Sequence, residues 1–376
     1  MEPTIYRFSL CIALPLMLFF GFYFLFAKTP EKTIFKNYLR SRRIIGTALL
    51  LLAANYMVHF FFGMRFKNVN AAILMNLSTY FLCYYLFSSA MITLLNRFYI
   101  TQKRSRTHFI LWLIFSTLSG VVLLLLPGGT VQEIALLALA TWLVIYGLIL
   151  ARRVIIAYRR AVRIFDDTHA DDLGAYIKWL STFTYWALIF GVGCGLLTFL
   201  PDKYIYIWIL SSIPFYSFLF CSYQNYLLFY EQVENAFEQD IPSEEQVQND
   251  TETDAGTDSE QESPMPRTEI MKEVENWINT YGYIQQGLTL KELSEKLHTN
   301  RTYLSGYIKT TYKMTFREWI TGLRLEYAKN MLKEHPEINV QKLAESSGFL
   351  SRSNFIKSFT EKEGCTPAKW RKANLE

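Results

Sequence analysis

For its first 230 residues the chain shows no helical alternation of polar and apolar faces. It presents instead seven apolar runs, at 8–27, 44–63, 71–95, 109–126, 134–151, 180–200 and 205–229. An α-helix of about 20 apolar residues crosses the hydrocarbon layer of a bilayer, and each run is close to that length. Seven such segments without a polar face would leave soluble helices no side to turn to water, so the runs predict spanning helices. The first run is too long for a cleaved signal peptide, and Phe24-Leu25-Phe26-Ala27 is a poor cleavage site. From Glu269 onward a helical period with polar faces returns, which predicts a small all-α domain.

Charge sharpens this division. Residues 1–230 carry 20 Lys/Arg against 8 Asp/Glu, residues 231–270 carry 1 against 13, and residues 271–376 carry 17 against 12. The middle block is acidic, poor in branched aliphatics and punctuated by Pro242, Pro264 and Pro266. Such a segment cannot bury enough apolar surface to offset chain entropy and reads as a disordered tether. The expected organisation is a seven-helix transmembrane domain over 1–230, an acidic linker over 231–267 and a helical domain over 268–376. Basic residues mark the cytoplasmic loops of membrane proteins. Sixteen Lys/Arg lie in the loops after the first, third and fifth runs, against four on the opposite side. That alternation predicts a multi-pass protein of a bacterial inner membrane, with its N-terminus outside and everything after Tyr230 in the cytoplasm.

Chemistry in the apolar half is sparse. Asn55 and His59 share a face of the second run and Asn76 lies in the third, a candidate membrane ligand site or a set of interhelical hydrogen bonds. Residues 191–195, GVGCG, lack the strand and spacing of a dinucleotide fingerprint and read as close helix packing. The segment FDDTHADDL, 165–173, reads as solvated acids in preference to a divalent-cation site. Cys11, Cys83, Cys194 and Cys221 read as buried small hydrophobes, and no cysteine spacing suits zinc. No paired carboxylates or nucleophile-and-base constellation appears, so neither an enzyme nor a cofactor is expected.

The last hundred residues are dense in helix caps. Thr289-Leu-Lys-Glu292 and Thr315-Phe-Arg-Glu318 have the form of capping boxes, Asn339 caps a further helix, and Thr366-Pro367 pairs a cap with proline at the first helical position. About seven helices and no strands follow. A helix at 290–297 turns through His298, Thr299 and Asn300 into a helix at 301–312, with Leu304 and Ile308 inward. The arrangement repeats at 340–347 and 352–361, where Gly348 suits the left-handed turn position and Phe355 and Phe359 point inward. A long helix at 316–333 joins the two units, with Trp319, Leu323, Tyr327 and Met331 at core spacing.

In this order and spacing, LTLKELSEKL, TNRTYLSGYIKTTYKMTFREWITGLRLEYAKNML, INVQKLAESSGFLSRSNFIKSFTEKEG and TPAKWRK resemble the DNA-binding domain of the AraC/XylS transcription regulators. The resemblance implies that the second helix of each unit enters the major groove, the two readers lying about one helical turn, roughly 34 Å, apart. Carried over by position, the base-reading candidates are Arg301, Thr302 and Ser305 in the first unit and Arg352, Ser353, Asn354 and Lys357 in the second. Arg can grip guanine bidentately and Asn can pair with adenine. Arg324 matches a family position expected to support packing. Ser294 stands where the family usually has alanine, His298 replaces the usual turn glycine, and Gly306 occupies a slot often held by a long polar side chain.

The expected function is a membrane-integral transcription regulator, its helix bundle a sensor or anchor. The implied partners are double-stranded promoter DNA, membrane lipid, a second copy in a homodimer, RNA polymerase, and a small-molecule or envelope signal. Two alternatives stay open: a transporter or channel-like protein with a regulatory DNA-binding tail, and a passive anchor that releases its tail by cleavage.

Overall fold

The computed structural model describes residues 3–96, 98–197, 204–239 and 267–375. Among them every regular element is helical, and the only strand-like pairing is an isolated bridge between His169 and Thr289. The fold is all-α, as the pattern predicts. The helices group into two compact units, one formed by residues 1–160 and 177–232, the other by 161–176 and the described residues from 233 onward.

The first unit is built from α1 (Pro3–Phe26), α2 (Lys36–Phe62), the short α3 (Met64–Lys67), α4 (Val69–Leu95), α5 (Gln102–Leu125) and the greater parts of α6 (Thr130–Thr168), α7 (Gly174–Leu197) and α8 (Ile205–Gln239). Six of these, α1, α2, α4, α5, α6 and α8, are long and apolar enough to cross a membrane. The seventh expected crossing, 180–200, falls on α7; its side chains from 191 on, the GVGCG run included, lie outside the described residues. Pro15 and Pro214 sit inside α1 and α8.

The core of this unit is aliphatic and aromatic, with Leu10, Leu52, Phe81, Phe115 and Leu143 buried and the ring of Tyr146 stacked on Phe81 at 4.0 Å between centroids. Where α1 meets α2, a side chain at Gly46 would come within 3.0 Å of the Gly21 carbonyl oxygen, so small residues set this contact. Phe8, Phe19, Phe26, Phe61, Phe109, Leu124, Leu125 and Leu228 are exposed. So much exposed hydrocarbon is unfavourable in water and is what lipid-facing helices present. A small apolar cavity of about 110 Å³ lies among α2, α4, α6, α7 and α8, lined by Tyr56, Tyr80, Tyr84, Trp208 and Tyr216 among others.

Two expectations need correction here. Cys83 is buried, but Cys11 and Cys221 are exposed, because a small apolar side chain can lie on either face of a helix that is apolar all round. The tether was expected to begin at 231, yet α8 continues to Gln239, with Val233 and Glu234 buried. The rest of the expected tether, 240–266, lies outside the described residues.

The second unit contains α9 (Arg267–Asn279), α10 (Leu290–Lys296), α11 (Arg301–Tyr312), α12 (Phe316–Glu334), α13 (Val340–Ser346), α14 (Arg352–Glu363) and α15 (Pro367–Leu375). α10 to α14 match the five helices whose bounds were predicted to within two residues at each end. Two small cores hold it together. Ile270, Leu293, Leu304, Ile308, Trp319 and Ile320 belong to the first, and Leu325, Ala328, Leu332, Leu343, Phe355 and Phe359 to the second. The connecting helix α12 feeds both. Its wholly buried apolar residues are therefore Ile320, Leu325, Ala328 and Leu332, whereas Leu323, Tyr327 and Met331 are only partly buried. A single stripe was the wrong template for a helix clasped on more than one face.

Candidate nucleic-acid interface

α11 and α14 each follow a short capped helix and a left-handed turn. In the first helix-turn-helix, the Thr289 hydroxyl accepts from the Glu292 N–H at 3.1 Å while the Glu292 carboxylate accepts from the Thr289 N–H at 3.0 Å, closing the predicted capping box. α10 buries Leu290, Leu293 and Ser294. The Ser294 hydroxyl donates to the Lys291 carbonyl at 2.8 Å, so serine in the alanine slot leaves no unsatisfied hydroxyl. Asn300 then caps α11 by accepting from the Tyr303 N–H at 2.7 Å.

The two turns are copies at the level of hydrogen bonds. His298 N–H donates to Glu295 O and Thr299 N–H to Ser294 O; Gly348 N–H donates to Glu345 O and Phe349 N–H to Ala344 O. Both pivots are left-handed, His298 at φ 54° and Gly348 at φ 83°. Ser351 caps α14, accepting from the Asn354 N–H at 3.2 Å.

Behind these caps the inward residues are Leu304, Tyr307 and Ile308 on α11 and Phe355 and Phe359 on α14. Of the predicted readers, Thr302, Arg352, Ser353 and Lys357 are exposed, and Arg301, Ser305 and Asn354 are half-buried. The seven residues thus sit on the outward sides of two helices with matching geometry. Gly306 has open space where a side chain would project. Arg324 is wholly buried, its Nε donating to Tyr283 O at 2.8 Å and its Nη2 to Gln285 O at 2.6 Å, a packing residue and no base reader.

The acids of segment 161–176 are the main departure from expectation. Each is paired with a cation instead of standing alone in solvent. Asp171 pairs with Arg324 at 3.2 Å, Asp172 with Lys357 at 2.9 Å, Asp166 with Arg317 at 2.6 Å and Asp167 with Lys309 at 2.8 Å. Burial opposes ionisation of Asp172, but the hydrogen bond from Lys357 and the charges of Arg317 and Lys357 outweigh it and hold the carboxyl below its usual range. Burial likewise disfavours the Arg317 cation, yet Asp166 and Asp172 raise it above its ordinary value. The sequence showed the acids but not their partners, which lie far along the chain. Among the described residues no group of His, Cys, Asp and Glu could hold a metal ion.

The polar residues of the apolar helices α2 and α4 are also brought together. His59 Nε2 lies 2.9 Å from Asn76 Oδ1, and Asn55 Nδ2 donates to Thr79 Oγ1 at 3.0 Å. His59 Nδ1 and Asn55 Oδ1 are buried without a hydrogen-bond partner among the described residues.

Comparison with known proteins agrees with this geometry. Residues 293–373, from within α10 to within α15, match the family model described as a helix-turn-helix domain. The chain is 37% identical over 84 residues to the HTH-type transcriptional regulator YtdP of Bacillus subtilis, covering 22% of this chain and 11% of that protein. It is 26% identical over 91 residues to the melibiose operon regulatory protein of Escherichia coli, covering 24% and 30%. Against the raffinose operon transcriptional regulatory protein RafR of Pediococcus pentosaceus it is 30% identical over 115 residues, covering 29% and 41%. The chain therefore spans well under two thirds of the length of these curated relatives. No solved structure matches the chain.

Proposed function

We propose that this chain, whose C-terminal region is a helix-turn-helix domain of the AraC type, is a membrane-integral, sequence-specific transcription regulator. The observation that carries the proposal is the pairing, in one chain, of six helices apolar enough to cross a membrane with two helices, α11 and α14, each started by a side chain that accepts from the N–H three residues on. Domains of this class bind DNA, and the outward Arg352, Asn354 and Lys357, with Arg301, Thr302, Ser305 and Ser353, are the groups through which this one reads promoter base edges.

The apolar portion over 1–230 acts as sensor or anchor in a bacterial inner membrane, its N-terminus outside, and the acidic stretch up to 267 tethers the reader to it. The aromatic cavity and the His59–Asn76 and Asn55–Thr79 pairs favour a sensing role for a small-molecule or envelope signal. A homodimer would present two reader pairs and raise their effective concentration at tandem sites. RNA polymerase is the partner through which occupancy alters transcription.

The test is topological. A reporter active only in the cytoplasm, fused after Glu376, is expected to be active, and one fused at the N-terminus inactive. A C-terminal fusion active only in the periplasm would remove the gene-control reading.

A further inference from the structure

Four carboxylates of one short segment end on four cations of the reading domain. Two of those cations belong to the reading helices themselves, Lys309 on α11 with Asp167 and Lys357 on α14 with Asp172. A third, Arg317 in the first turn of α12, meets both Asp166 and Asp172, the latter at 3.5 Å. The contact is more than a set of surface pairs. Ala170 is buried in the first core and its N–H donates to Leu288 O at 3.0 Å, while Asp171 Oδ2 accepts from the Gly287 N–H at 3.1 Å. Apolar burial, backbone pairing and charge therefore hold the segment in one register.

Carboxylates on such cations compete with DNA. Duplex binding draws most of its free energy from neutralising phosphates with Lys and Arg, and an ammonium already pairing an aspartate must give it up first. Lys357 is the clearest case, since the same Nζ is both a proposed reader and the partner of Asp172.

We propose that residues 166–172 form an internal acidic latch, which occupies DNA-facing cations of the C-terminal domain and leaves when duplex DNA binds. This rests on the DNA-reading function proposed above. The latch comprises the end of α6, Asp166 to Thr168, and the connection that leads into α7, two helices of largely apolar composition. A shift in either is delivered to it through covalent chain, which gives a membrane signal a direct route to the reader without cleavage of the tether.

The experiment uses the full chain in phospholipid nanodiscs and a fluorescent duplex of random sequence, with affinity measured across a salt series. The triple variant Asp166→Asn, Asp167→Asn, Asp172→Asn keeps Asp171, whose buried partner supports the fold. It is expected to bind duplex about tenfold tighter than the unsubstituted chain, the sum of three modest pairs. Equal or weaker binding overturns the latch. If neither chain binds duplex at any salt concentration, the DNA-reading premise fails and the latch falls with it. A second measurement needs no variant. Hydrogen exchange of the unsubstituted chain reads the peptide containing the Ala170 amide, which should exchange faster with saturating duplex. Unchanged protection while DNA is bound overturns the proposal.

Discussion

Arg324 on α12 and Asp171, 153 residues earlier in the chain, form an ion pair that is almost wholly buried, Nη1 to Oδ1 at 3.2 Å. Burial pushes the Asp171 carboxyl up against the opposing pull of Arg324 and the Gly287 N–H, and the same desolvation lowers Arg324. Such a pair adds little net stability over a hydrocarbon substitute, but removing one partner strands the other charge. Asp171→Leu should therefore destabilise the C-terminal unit by about 3 kcal/mol. Asp171→Asn, which keeps an acceptor, should cost less. Hydrogen-exchange protection of α12 in the full chain measures the order.

The twin turns make opposite predictions for one substitution type. At Gly348, φ is 83° and an added Cβ would sit 2.4 Å from the Ile284 carbonyl oxygen, so Gly348→Ala should cost about 2 kcal/mol or more. His298 holds a left-handed φ of 54° with a side chain in place, so His298→Gly should stabilise the first helix-turn-helix by roughly 1 kcal/mol. Chemical unfolding followed by a probe in each unit would separate the two effects.

For the readers, Arg352→Ala should weaken binding to the cognate site by about 1–3 kcal/mol for a lost bidentate base contact, and relax the sequence preference at that position. Lys357→Ala has two opposing consequences, loss of a reader and release of Asp172, so its specific affinity should fall less than that of Arg352→Ala. Footprints and salt series on the two variants test this, and an unchanged footprint for Arg352→Ala would refute the assignment of α14.

Acid should loosen the docked segment through His169. Burial lowers its pKa to about 4, from an ordinary value near 6.5. With the folded value depressed, the stabilisation is fully present above pH 6.5 and is lost as pH falls toward about 4. At pH 5 the loss should be about 2 kcal/mol. Asp171 shifts the other way, so the effect is read as the difference in pH dependence between the unsubstituted chain and His169→Asn, by exchange of the 166–172 peptide.

Local rules made much of the C-terminal unit legible in its sequence. Thr289, Thr315 and Asn339 announced helix starts because a hydroxyl or amide there satisfies free N–H groups of the first turn, and all three do so. Gly348 announced a pivot for the same kind of local reason. The apolar runs announced the helices of the first unit because their length and composition alone meet the demands of a bilayer. What failed was non-local. The acids of 166–172 looked solvated because the cations that hold them lie far along the chain, beginning at Lys309, and local spacing carries no record of such partners. The burial of α12 on two sides was hidden likewise, since a period reports one stripe and not two neighbours.

The central claim is that the reader acts on DNA while still joined to the membrane helices. The most direct measurement is crosslinking of intact cells followed by recovery of DNA from the membrane fraction through a C-terminal tag, with fragment size checked on the same sample. The account predicts enrichment of discrete promoter sites by the full-length chain of 44.0 kDa, lost when residues 268–376 are removed. Enrichment found only with a soluble C-terminal fragment, or no enrichment at all, would contradict it.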